Sequence, residues 1–115
     1  MLSKEIWFDV SWFGRGETPN YIWGHTEIRL GHAAFVDWNT LISTLAHESI
    51  HVGQGYFYLG YRRAWAEVEA YNFEIELAMK NGIDPYSIEN LYYWRNPYLE
   101  WTKYHFWGPI RDINP

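Results

Sequence analysis

Cysteine is absent from the 115 residues. Disulfides and thiolate metal sites are both excluded, so any metal must be held by histidine and carboxylates. Basic residues are few: nine Lys and Arg stand against fourteen Asp and Glu, for a net charge of −5, and they form no run. Phosphate backbones are recognised by clustered cations, so nucleic acid is not an expected partner. No apolar stretch approaches the roughly 20 residues of a spanning helix, which argues against a membrane partner. The opening MLSKEIWFDVSWFGRGE is interrupted by Glu5, Asp9 and Arg15 and does not read as a signal peptide. The expectation is a soluble protein, cytoplasmic by default.

Aromatic residues are abundant, at 21% of the chain with eight Trp and ten Tyr. That is more than a core of this size needs. Two readings stand: some rings are exposed in a groove or interface, or large rings fill a small core efficiently. Length and a hydrophobic share of 48% fit one folded domain over 1–115.

Residues 5–13, EIWFDVSWF, alternate, with Ile6, Phe8, Val10 and Trp12 on one face of a half-buried strand. GRGETPN then reads as a turn. Residues 21–30 alternate again, with Thr26, Ile28 and Leu30 opposite His25, Glu27 and Arg29, and this second strand is expected to pair with the first. An edge near residues 21–30 can accept an extended peptide as an added strand. Residues 37–53 follow as a helix capped by Asp37 or Asn39, with Leu41, Ile42, Leu45, Ala46 and Val52 at helical spacing and Gly53 and Gly55 at its end. Residues 62–81 form a longer helix with Trp65, Val68, Asn72, Ile75 and Met79 in one stripe, stopped by Asn81-Gly82. Asp84-Pro85 opens a third helix and Asn96-Pro97 a fourth, short one. The fold class is α+β: a small antiparallel N-terminal sheet packed on a mostly helical body.

Within the first helix lies His47-Glu48-Ser49-Ile50-His51, a match to H-E-x-x-H. Residues four apart on a helix share a face, so the two imidazoles can converge on one tetrahedral zinc ion. Glu48 sits about 100° around the helix from His47. There it is placed to take a proton from a zinc-activated water rather than to bind the metal. Leu45, Ala46, Ile50 and Val52 supply an apolar setting that strengthens electrostatics.

A catalytic zinc keeps three protein ligands and one open position. Candidates for the third are His25, His32, His105 and the downstream carboxylates, above all Glu67 and Glu69 in AWAEVEAY. An antiparallel second helix can return either carboxylate to the first. The two lie about 200° apart around that helix, and its apolar stripe does not choose between them. His25, His105, Tyr71, Tyr92 and Tyr93 are weaker candidates for substrate or oxyanion contacts.

HESIH followed by Glu67-Val68-Glu69-Ala70-Tyr71 resembles the gluzincin zinc metallopeptidases, whose third ligand is a Glu in an E-x-x-A-D or E-x-x-A-Y pattern on a second helix. Gln54, three after His51, adds a resemblance to small H-E-x-x-H-x-x-Q proteins. The likeness covers residues 41–75. It implies a minimal zincin-like domain, with His47, His51 and Glu67 as zinc ligands, Glu48 as the base and a peptide or protein as substrate; Glu69 stays open as the third ligand. The alternative is a non-catalytic, zinc-stabilised, aromatic-rich binding module, its metal closed by a fourth protein ligand such as His25 or His32.

Overall fold

A computed structural model of the chain describes residues 4–8, 12–19, 26–54, 62–83 and 85–103. They belong to two compact units, Met1–Phe57 and Tyr58–Pro115. The architecture is α+β, a small sheet and three α-helices.

In the first unit the strands are β1 (Lys4–Phe8), β2 (Gly16–Glu17) and β3 (Thr26–Leu30), in the order β1-β3-β2. The expected pairing of the two alternating segments is present, with Ile6 opposite Ile28 and Phe8 opposite Leu30, and these strands run parallel. The antiparallel ladder is made instead by β2, which lies inside the segment that reads as a turn and pairs Gly16 with Leu30 and Glu17 with Arg29. The edge expected near residues 21–30 is therefore corrected for 26–30. β3 is the central strand, hydrogen-bonded on both sides, and residues 21–25 lie outside the described residues.

Alternation in β3 has the predicted consequence. Ile28 and Leu30 are buried, while Glu27 and Arg29 face away and pair with each other at 2.9 Å, with Glu17 3.4 Å from Arg29. Burying each of the two aliphatic side chains is worth about 1.5–3 kcal/mol. They pack with Ala34 of a 3-10 turn (His32–Phe35) and with Leu41, Leu45 and Val52. The expectation for β1 is corrected. Ile6 and Phe8 are 66% and 53% exposed, because the helix that covers this face of the sheet packs on β3.

That helix is α1 (Trp38–Gln54). Asp37 caps it: the Thr40 backbone N–H donates to Asp37 Oδ1 at 2.7 Å, satisfying one of the amides that a helix start leaves without an internal partner. Leu41, Leu45 and Val52 turn its apolar stripe onto the sheet, whereas Ile42 is exposed. The helix runs through Gly53 to Gln54, and Gly55 lies outside the described residues.

The second unit is a pair of helices, α2 (Arg63–Lys80) and α3 (Pro85–Thr102), packed on one another. Val68, Asn72 and Ile75 of the expected stripe are buried, and Met79 at its end is exposed. Asn81-Gly82 stops α2 as expected. Gly82 has φ +66°, its N–H donates to Met79 O at 3.3 Å, and the Ile83 N–H donates to Ala78 O at 3.0 Å. The expected fourth helix is corrected: α3 is continuous, with Pro97 inside it. Asn96 does not cap a new helix because its side-chain oxygen accepts from Arg95 Nε and Nη2, at 3.3 and 2.9 Å. The buried stripe Leu91, Arg95 and Thr102 runs straight past the proline, so packing outweighs the one backbone hydrogen bond that proline removes. No helix among the described residues is long and apolar enough to cross a membrane.

Candidate metal centre

The helical register of α1 brings the two histidines together as their spacing implies. Nε2 of His47 and Nε2 of His51 lie 3.2 Å apart, with the rings at 72° to one another. Two zinc–nitrogen bonds of 2.0–2.1 Å at a tetrahedral angle separate their nitrogens by about 3.3–3.4 Å. The pair thus fits one tetrahedral ion without rearrangement of the helix. His47 is buried and His51 half-buried.

His51 is held from its other side. Its Nδ1 lies 2.7 Å from Gln54 Oε1. An amide oxygen only accepts, so this contact favours the tautomer with the proton on Nδ1 and the Nε2 lone pair toward His47 Nε2. A metal-ligating imidazole characteristically has such a partner on its second nitrogen.

Glu48 is 4% exposed and turned toward β2. Thr18 Oγ1 donates to its Oε1 at 2.6 Å and lies 3.2 Å from its backbone oxygen. One donor atom from each of His47, Glu48 and His51 lies within 4.8 Å of the others. The carboxylate is therefore close enough to share a water with an ion held by the imidazoles, while its rotation about the helix is distinct from theirs. One turn earlier, Thr44 is fully buried, donates to Thr40 O at 2.7 Å and accepts from Arg15 Nε at 3.1 Å.

Compared with protein-family models, curated proteins and solved structures, the chain has no match.

The other sequence candidates are placed as follows. Glu67 and Glu69 lie on α2, in the second unit. Glu67 is 14% exposed and its Oε1 is 3.9 Å from Arg63 Nε, one helical turn away. His32 is exposed, with its ring stacked on Phe13 at 5.6 Å. Tyr71 packs against the core of the second unit and stacks on Tyr98 at 6.3 Å, Tyr92 lies beneath the Arg95 guanidinium at 4.7 Å, and Tyr93 is exposed. His25 and His105 lie outside the described residues.

The sequence names Gln54 in the H-E-x-x-H-x-x-Q pattern but not its contact with His51, and it gives no sign of Thr18. Gln54 carries a signal, since position i+3 from His51 lies on the same helix face. Thr18 carries none: it is 30 residues from Glu48 and sits in a stretch with the composition of a turn.

Proposed function

We propose that the chain is a zinc-dependent metallohydrolase acting on amide bonds of a peptide or protein, with His47 and His51 as ligands, Glu67 as the third and Glu48 as general base. The observation that carries this reading is the 3.2 Å approach of the two Nε2 atoms beside a buried carboxylate. Zinc in this position supplies a Lewis acid for the scissile carbonyl and lowers the pKa of water to about 7. As general base, Glu48 would take one proton from the attacking water as the water oxygen bonds to the carbonyl carbon, and would hand it to the departing amine nitrogen as the carbon–nitrogen bond breaks. Glu67 is preferred to Glu69 on the E-x-x-A-Y resemblance alone. A second reading, a zinc-stabilised binding module, is favoured by the exposed Phe8, Phe13, Phe35 and Trp38 of the first unit.

The test begins with metal content. Wild type loaded with zinc and desalted should retain one ion per chain, and His47→Ala should retain none. Glu48→Gln should keep the ion and lose at least about a hundredfold in hydrolysis of a quenched fluorescent peptide mixture, in line with loss of a general base. Failure of wild type to hold zinc defeats both readings. Zinc retained with cleavage unaffected by Glu48→Gln removes Glu48 as the base, and a fourth protein ligand on the ion establishes the binding module.

A further inference from the structure

The segment Arg15–Thr18, a turn by composition, is laid along the face of α1 that carries Glu48, and three observations tie it there. Thr18 Oγ1 donates to Glu48 Oε1 at 2.6 Å. Arg15 Nε donates to Thr44 Oγ1 at 3.1 Å, one helical turn before Glu48. Between them, Gly16 leaves no room for a side chain: a Cβ there would sit 2.8 Å from Thr44 Cγ2 and 2.9 Å from Glu48 Cγ. The stem of Glu48 therefore lies against bare backbone while its head is tied to a hydroxyl.

We infer that Thr18 is a positioning residue for the catalytic carboxylate, fixing the rotation of the Glu48 head group so that its second oxygen addresses the reacting water. This rests on the reading of Glu48 as the general base. The 2.6 Å separation falls in the range of hydroxyl-to-carboxylate hydrogen bonds, with the Thr18 hydroxyl as donor. A carboxylate turns readily about its last bond, which has no sharp rotamer wells. Within α1 the backbone sets where Glu48 starts but not how its oxygens point. The hydroxyl from β2's flank supplies that missing coordinate, and Gly16 permits the approach. A base held at a fixed angle avoids a search at each turnover, and misplacement by about 1 Å can cost about a hundredfold in rate.

The inference is tested on the full chain with Thr18→Val, Thr18→Ser and Glu48→Gln. Zinc affinity is read by competition with a chromophoric chelator. Each zinc-loaded protein is then titrated with acetohydroxamic acid, whose hydroxyl proton a carboxylate beside the metal can accept on binding, and kcat and KM are measured on one peptide that the wild type cleaves. Thr18→Val should bind zinc within about threefold of wild type, because the hydroxyl of Thr18 is directed at Glu48 and not at His47 or His51. Its kcat and acetohydroxamate affinity should fall about 10–100-fold with KM unchanged, and Thr18→Ser, which restores the hydroxyl, should return both to within about threefold. Thr18→Ala gives the same reading should the valine variant not fold. Wild-type kcat and acetohydroxamate affinity in Thr18→Val, beside a Glu48→Gln that loses both, overturn this inference alone; so does a serine variant as impaired as the valine one. Wild-type turnover in Glu48→Gln, or no zinc uptake by wild type, overturns the functional reading and this inference with it.

Discussion

The side-chain oxygen of Gln54 lies 2.7 Å from Nδ1 of His51. In the proposed site this contact would prepare His51 as a ligand, because an acceptor at Nδ1 favours the tautomer whose Nε2 lone pair points at His47 Nε2. Replacing Gln54 with Leu should weaken zinc binding about 10–100-fold without abolishing it, as expected when the partner of a ligating imidazole is lost. Glu at this position, a stronger acceptor, should restore affinity. The metal-free protein provides an independent reading: long-range proton–nitrogen correlation spectra should show His51 as the Nδ1–H tautomer in wild type and a mixture in Gln54→Leu. Equal zinc affinities across the three proteins would remove Gln54 from the site.

The parts of this centre that are local in sequence were legible in it. Helical periodicity places His47 beside His51 and rotates Glu48 away from both, and Leu41, Leu45 and Val52 show which side of α1 meets the sheet. Thr18 was not legible because its role depends on a strand of two residues whose register with Leu30 and Arg29 is set by tertiary packing. The same limit explains the sheet. Alternation marks Ile28 and Leu30 as buried in one face, but it carries no direction, so it cannot distinguish a parallel partner from an antiparallel one. Pro97 misleads in the opposite sense. Asn-Pro is a sound local signal for a helix start, yet Arg95 occupies the asparagine oxygen and the buried stripe of α3 continues past it.

Asp37 links the stability of the ligand helix to pH. Hydrogen bonds from the Thr40 backbone N–H, and secondarily from its hydroxyl, hold the Asp37 carboxyl below its ordinary pKa. A group whose folded pKa is depressed stabilises the fold above its unfolded value, about 3.9, and that contribution is lost as pH falls through the folded value. Asp37→Ala should therefore lower the thermal midpoint at pH 7, with the gap to wild type narrowing below about pH 4. Asp37→Asn, which keeps a capping oxygen, should show a smaller loss at pH 7 and less dependence on pH. A gap between wild type and Asp37→Ala that stays constant from pH 7 into the acid range would rule out the capping carboxylate as its source.

Two glycines at helix ends should respond to alanine with opposite signs. Nothing lies within 4 Å of a Cβ built at Gly53 or at Gly82, so neither substitution meets a steric obstacle. They differ in backbone conformation. Gly53 sits in the last turn of α1 with ordinary helical geometry and is exposed. Alanine there restricts the unfolded chain more than the folded one and should stabilise by about 0.5–1 kcal/mol. Gly82 is the residue with φ +66° that lets Ile83 fold back onto Ala78 and close α2. A left-handed conformation costs an L side chain about 1–2 kcal/mol, so Gly82→Ala should destabilise by that amount. Urea unfolding followed by far-ultraviolet circular dichroism reads both, with the midpoint moving up for Gly53→Ala and down for Gly82→Ala. Asn, which tolerates the left-handed region, should recover part of the loss at Gly82 and none at Gly53, where it is a poorer helix former than alanine. Shifts of the same sign at the two positions would show that something other than backbone conformation governs them.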